Sequence, residues 1–196
     1  MSGNFLLKEL KKLLHYICLD IGERLTGSDK NKQMEGYAAS YFEKEGFDVE
    51  LQKFSCIDWK NHGAKLYFND KKIRAKPSYY TSGCDIETEY VKISSIDELE
   101  KSNLKNKLAV LYDDLVKEQI MPKNFPFYNP ESHQKIIKLL EEKSPSALVT
   151  IVEEDISVLE DGDFNIPSVY VKKENGKEIL YNKGIIKLKI EAERKE

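Results

Sequence analysis

Histidine is scarce in this chain of 196 residues, with three in all, and cysteine is no commoner. His15, His62 and His133 lie far apart, and neither a His-Glu-x-x-His nor a His-x-Asp pattern joins any of them to a carboxylate. A hydrolytic zinc centre needs several imidazole or carboxylate ligands around an open position, with a base beside the bound water. The spacing here argues against a self-contained centre of that kind. Cys18, Cys56 and Cys84 are odd in number and widely separated. That speaks against a disulfide framework and for a reducing compartment, so a cytoplasmic location is expected. Cys56 and Cys84 have no neighbouring base in sequence and read as buried thiols rather than nucleophiles. The ten glycines form no phosphate-cradling series, and Ser28 and Ser82 sit in no Gly-x-Ser-x-Gly elbow. No apolar run approaches the ~20 residues of a membrane span. The stretch Leu6–Ile17 is broken by Lys8, Glu9, Lys11 and Lys12, unlike a secretory signal. A net charge of −3 with both signs interspersed leaves no nucleic-acid footprint and points to no anionic membrane surface.

What is present belongs to an ordinary globular chain, 40% apolar and 33% charged. Leu6, Leu7, Leu10, Leu13, Leu14 and Ile17 recur at helical spacing. Ser28 or Asp29 can cap a second helix, with Met34, Tyr37, Ala38, Tyr41 and Phe42 as its apolar stripe and Gly46 as its stop. Phe47, Val49 and Leu51 alternate with polar residues, which predicts a half-buried strand. After Ser55 the pattern turns to short strands. A hairpin is expected from 64 to 75 about Asn69-Asp70, then a strand over 88–93, a brief helix from a Ser95 capping box, and a buried strand over 108–112. The stretch 121–171 organises the remainder. An aromatic, proline-rich loop leads to a helix capped by Asn129 with Pro130 at its first position, ended by Ser144-Pro145. The β-branched run Ala147–Val152 reads as a strand covered on both faces, and Ile166–Val171 as its neighbour. Glu178–Tyr181 and Ile185–Ile190 are expected as closing strands, with a fraying tail over 191–196. The carboxylates of Glu153-Glu154-Asp155 and Glu160-Asp161-Gly162-Asp163 do not have EF-hand spacing and read as solvated turns. The fold class is α+β: a β-rich domain with flanking helices, preceded by a helix-helix-strand segment.

Two stretches carry a family likeness. Ile21-Gly22-Glu23-Arg24-Leu25-Thr26-Gly27-Ser28, the helix through Tyr37-Ala38-Ala39-Ser40-Tyr41-Phe42, and Glu45-Gly46-Phe47-Asp48-Val49-Glu50 resemble the opening of zinc-dependent aminopeptidases of the aminopeptidase Y and glutamate carboxypeptidase kind. The stretch 124–171, with Ser144-Pro145-Ser146-Ala147 and Ile166-Pro167-Ser168, is similar to the protease-associated domain inserted in many of them. The resemblance implies residues 1–54 as the amino-terminal segment of the peptidase domain and 55–196 as the protease-associated domain. The family's metal-binding motifs, which hold two zinc ions in the complete enzyme, have no counterpart in these residues. The implied chain is therefore non-catalytic, with no catalytic or metal residue of its own. A stand-alone protease-associated module that binds a peptide or protein partner is the alternative. Because the inserted domain covers the cleft or mediates assembly, Tyr79 and Tyr80 in one loop and Phe125, Phe127 and Tyr128 in another are the candidate lid or contact surface. Helices without their catalytic sheet would leave Leu6, Leu10, Tyr37 and Tyr41 available for homo-oligomer contacts.

Overall fold

The computed structural model describes Gly3–Lys195 and is an α+β fold with two sheets. Two compact units divide it: one holds the described residues up to Trp59 together with Lys195, the other runs from Lys60 to Arg194. No helix among the described residues is long and apolar enough to cross a membrane.

In the first unit, α1 spans Gly3–His15 and continues through a wider turn, Tyr16–Ile21, to Gly22 at φ 73°. Arg24 ties the following loop back, its guanidinium donating to the carbonyls of Ile17 at 2.8 Å and Gly22 at 2.7 Å. Ser28 caps α2 (Asp29–Lys44), accepting from the Asn31 N–H at 3.1 Å. Gly46 at φ 88° ends it: its N–H reaches the Glu43 carbonyl and that of Phe47 reaches Phe42, as in a Schellman motif. The expected strand over 47–51 does not form. Phe47 and Leu51 are more than 60% exposed, and no ladder partner satisfies the backbone there. Alternation alone does not make a strand; the N–H and C=O rows need a neighbour. Only Ile21 and Trp59 of this unit are buried among the described residues.

In the second unit, β5 (Tyr90–Ile93), β6 (Leu108–Leu111), β7 (Ala147–Val152) and β8 (Ser168–Lys172) are parallel neighbours in that order, and the short β3 (Lys76–Pro77) closes the β8 edge antiparallel. Such strands are covered on both faces, which is why Leu108–Leu111 and Ala147–Val152 are buried throughout and, Thr150 excepted, apolar. Alternate residues serve different cores. Ala109, Leu111, Leu148 and Val152 face α3 (Ile96–Lys101) and α4 (Glu131–Lys143), with Leu99, Ile136, Ile137 and Leu140. Leu108, Val110, Val149 and Ile151 face the second sheet, with Leu66, Ile186 and Leu188. That sheet has the order β2 (Lys71–Ile73), β1 (Asp58–Phe68), β9 (Ile186–Lys195), β4 (Cys84–Thr88). Asn69 and Asp70, at φ 47° and 63°, form the expected hairpin turn between β1 and β2.

Several expectations are corrected. Thr88–Ile93 is not one strand: Thr88 ends β4 against β9, whereas Tyr90 begins β5 in the other sheet. Glu178–Tyr181 is the end of a helix, α5 (Lys173–Tyr181). Its apolar signal is short because Gly176 makes the inner contact; a Cβ there would stand 3.0 Å from Ile151 Cδ1. Asn129 does not cap α4, since Pro130 holds that position and the Asn129 amide donates to the Pro122 carbonyl at 3.1 Å. Residues 191–195 do not fray but extend β9. Gly83, just before β4, has the tightest backbone approach: a Cβ would lie 2.9 Å from the Ala192 carbonyl oxygen and 3.2 Å from that of Ile190. Gly83→Ala should therefore push β4 off β9 and cost about 1–3 kcal/mol in urea unfolding. An unchanged midpoint would mean that this approach is slack.

Candidate functional site

The aromatic candidates flank one segment, 157–166, which crosses the α3/α4 face between β7 and β8. Tyr79 bridges to Glu160 on one side, and Ile120 bridges to Leu159 on the other. Tyr79 and Tyr80 are half-buried, because their loop is tied down at several points. Ser78 N–H donates to the Ser168 carbonyl at 3.0 Å, and Ser168 N–H donates to Thr81 Oγ1 at 2.8 Å. The Arg194 guanidinium donates to the carbonyls of Tyr80 at 3.3 Å and Phe164 at 3.2 Å. Tyr80, at φ 61°, is held in the left-handed region by these contacts. By contrast Phe127 and Tyr128 are 79% and 81% exposed, and Phe125 is 39% exposed, edge-on to Phe127 at 5.6 Å. The five aromatics thus divide into a fixed pair and a presented trio.

Two residues outside the aromatic candidates set this loop. Asp161, read as part of a solvated turn, is only 8% exposed. Its carboxylate accepts from the Lys123 N–H at 2.7 Å and the Asp163 N–H at 2.8 Å, so the acidic turn holds the start of the aromatic loop. The aspartates spaced at 161 and 163 were the available signal, since aspartate often bonds backbone two residues on. His133, in the first turn of α4, is buried and accepts from the Met121 N–H at 3.2 Å through Nδ1. Beside them, burial pushes the Glu160 carboxyl above its ordinary value, partly offset by a Gln119 hydrogen bond.

A groove of about 770 Å3 opens at the carboxyl ends of β6 and β7. Its floor includes Val116, Ile151 and Val158, and its rim carries Asp113 and Glu154. Lys173 pairs with Glu153, and Lys117 with Asp114. Carboxyl edges of parallel strands are common ligand positions in α/β sheets.

Among the described residues, no three His, Cys, Asp or Glu side chains converge as a metal site. His15 lies 3.5 Å from Asp20, His62 is exposed on β1, and His133 lies 3.1 Å from Glu118. These residues do not fit a zinc pair. The cysteines differ in exposure, and Cys56 is half-buried. Cys84 is half-buried, and burial pushes its thiol up to about 11, whereas Cys18 is exposed. Iodoacetamide at about pH 8 should alkylate Cys18 and spare Cys84 in the folded chain, read by peptide mass mapping. Equal labelling would show a more open β4.

No protein-family model matches the sequence, and no curated protein sequence does. Solved structures do. An aminopeptidase from Aneurinibacillus sp. strain AM-1 superposes with a TM-score of 0.66 at 16% identity, over 96% of this chain and 45% of its own. BSAP, a zinc aminopeptidase from Bacillus subtilis, gives 0.62 at 14% identity, over 94% of this chain and 43% of its own. This chain therefore spans less than half the length of either, and what it shares with them at such identity is the fold.

Proposed function

We propose that this chain is the non-catalytic portion, amino-terminal segment plus protease-associated domain, of a zinc-dependent aminopeptidase, and that the metal-bearing part is supplied by further polypeptide. The observation that carries this reading is the exposed apolar surface of the first unit, from Phe5, Leu6 and Leu10 in α1 through Tyr41 and Phe42 in α2 to Phe47, Leu51 and Phe54. Amphipathic helices without a buried face need a surface to lie on. An alternating segment such as 47–52 needs a strand to pair with. A catalytic sheet would meet both needs at once, and the partial coverage of the two aminopeptidases supports the same reading. In the complete enzyme the loops at 79–80 and 125–128 would form a lid or contact surface over the peptide cleft. The reading frame beyond the codon for Glu196 tests this: continuation into a His-x-Asp strand end and a Glu-Glu pair supports it, and a stop codon opposes it.

The second reading is a peptide-binding module, favoured by the groove at the β6 and β7 carboxyl ends, with its apolar floor and acidic rim. It requires saturable binding of a short basic, apolar peptide to the purified chain, lost in Glu154→Lys. Absence of such binding leaves the peptidase reading alone.

A further inference from the structure

We propose that His133 is a protonation-controlled latch for the aromatic loop of residues 121–129. The ring is 5% exposed in the first turn of α4. Its Nδ1 accepts the Met121 N–H at 3.2 Å, so that nitrogen presents its lone pair and carries no proton. The ring hydrogen therefore sits on Nε2, which faces Glu118 Oε1 at 3.1 Å. Both nitrogens are engaged, and the neutral imidazole is fixed in one tautomer.

A second proton has one place to go, Nδ1. Once it arrives, two N–H groups point at each other and the Met121 hydrogen bond is lost, while the Nε2 bond to Glu118 gains charge assistance. Several carboxylates lie around the ring. The ring lines a cavity of about 320 Å3 together with Asp97 of α3 and with Asp114 and Glu118 of the segment after β6; no lysine or arginine lines it. Lys117 offsets Asp114 from outside, at 2.5 Å, and Glu131 shares the first turn of α4.

The release is local. Lys123 stays bonded to Asp161, Ile120 N–H to the Val158 carbonyl at 2.9 Å, and Asn129 to Pro122. What is freed is the Met121 entry of the loop that carries Phe125, Phe127 and Tyr128, while Tyr79 and Tyr80 stay held. Only the consequence for a partner rests on the contact-surface reading; the latch is measurable in the free chain.

Amide hydrogen exchange of peptides covering 120–130, normalised to intrinsic rates, is compared in the full chain at about pH 7.5 and about pH 5.5, on either side of the ordinary histidine range. Exchange at the Met121 amide, resolved by overlapping peptides, should be roughly tenfold faster in acid, the loss expected for one hydrogen bond of this kind. His133→Asn keeps an acceptor where Nδ1 stands and removes the titration, so its loop should be protected at both pH values. His133→Leu removes the acceptor, and its loop should be open at both. Protection over β6–β8 reports that each variant is folded; if the leucine variant is not, the asparagine variant decides alone. Ring nitrogen NMR at the higher pH should find the hydrogen on Nε2. Equal loop protection at both pH values, acid loosening that persists in His133→Asn, or a proton on Nδ1 in the neutral ring would each overturn the latch.

Discussion

Exchanging Leu6 and Leu10 together for glutamate should turn a chain that associates with rising concentration into a monomer by sedimentation equilibrium. Both side chains point into solvent from α1, at 66% and 49% exposure, and Phe5, Leu7 and Leu14 beside them are about half exposed. Tyr41 on α2 is 51% exposed, and Tyr37 is half-buried against Tyr16, its ring centroid 4.9 Å away. Each apolar Å2 left in water forgoes roughly 25 cal/mol, so an uncovered helical stripe is a strong driver of association. Glutamate is a good helix former, and α1 has no acidic residue in its first turn, so the helix itself should be retained. Helical circular dichroism checks that point. A wild-type chain that stays strictly monomeric at high concentration would contradict the expectation of homo-oligomer contacts.

Leu148→Ala should produce the largest loss of stability of any single truncation considered for this chain. Leu148 has no exposed surface and sits in β7, the middle of the parallel sheet, between β6 and β8. Its side chain belongs to the same buried cluster as Leu140 and Tyr170, so the void left behind is enclosed by core. Such truncations cost about 2–5 kcal/mol, and the melting temperature should fall by on the order of 10 °C. Leu10→Ala is the matched control, with the same chemistry in an exposed helix. Its effect should stay within ~0.5 kcal/mol. Comparable losses at both positions would mean that the first unit has a buried core after all.

Much of the second unit was legible in the sequence, because its signals are complete within short windows. The runs at 108–111 and 147–152 lack alternation, and both-face burial is the physical meaning of that lack. Asn69-Asp70 supplied the turn chemistry of its hairpin, and Ser95 the cap of α3, accepting from the Glu98 N–H at 3.3 Å. What misled was context carried by partners far away in the chain. Residues 47–51 have a strand pattern and no strand beside them. Residues 88–93 have one pattern and serve two sheets. Residues 179–181 are apolar enough for a strand, but Gly176 hides the helix by making its contact with backbone instead of side chain. The exposure of the aromatic candidates was half legible. Phe127 and Tyr128 are presented as a proline-rich aromatic loop suggests, whereas the ties that hold Tyr79 and Tyr80 come from Ser168 and Arg194, and those of the aromatic loop from Asp161 and His133. Hydrogen bonds of that range leave no periodic trace.

If these residues lend a peptidase its scaffold, as proposed, they should hold none of its metal. Metal content by plasma mass spectrometry, measured on the purified 196 residues after incubation with zinc and desalting, alongside hydrolysis of an aminoacyl p-nitroanilide, tests it most directly. Substoichiometric zinc and no turnover are expected. Two zinc ions retained per chain together with release of nitroaniline would contradict it.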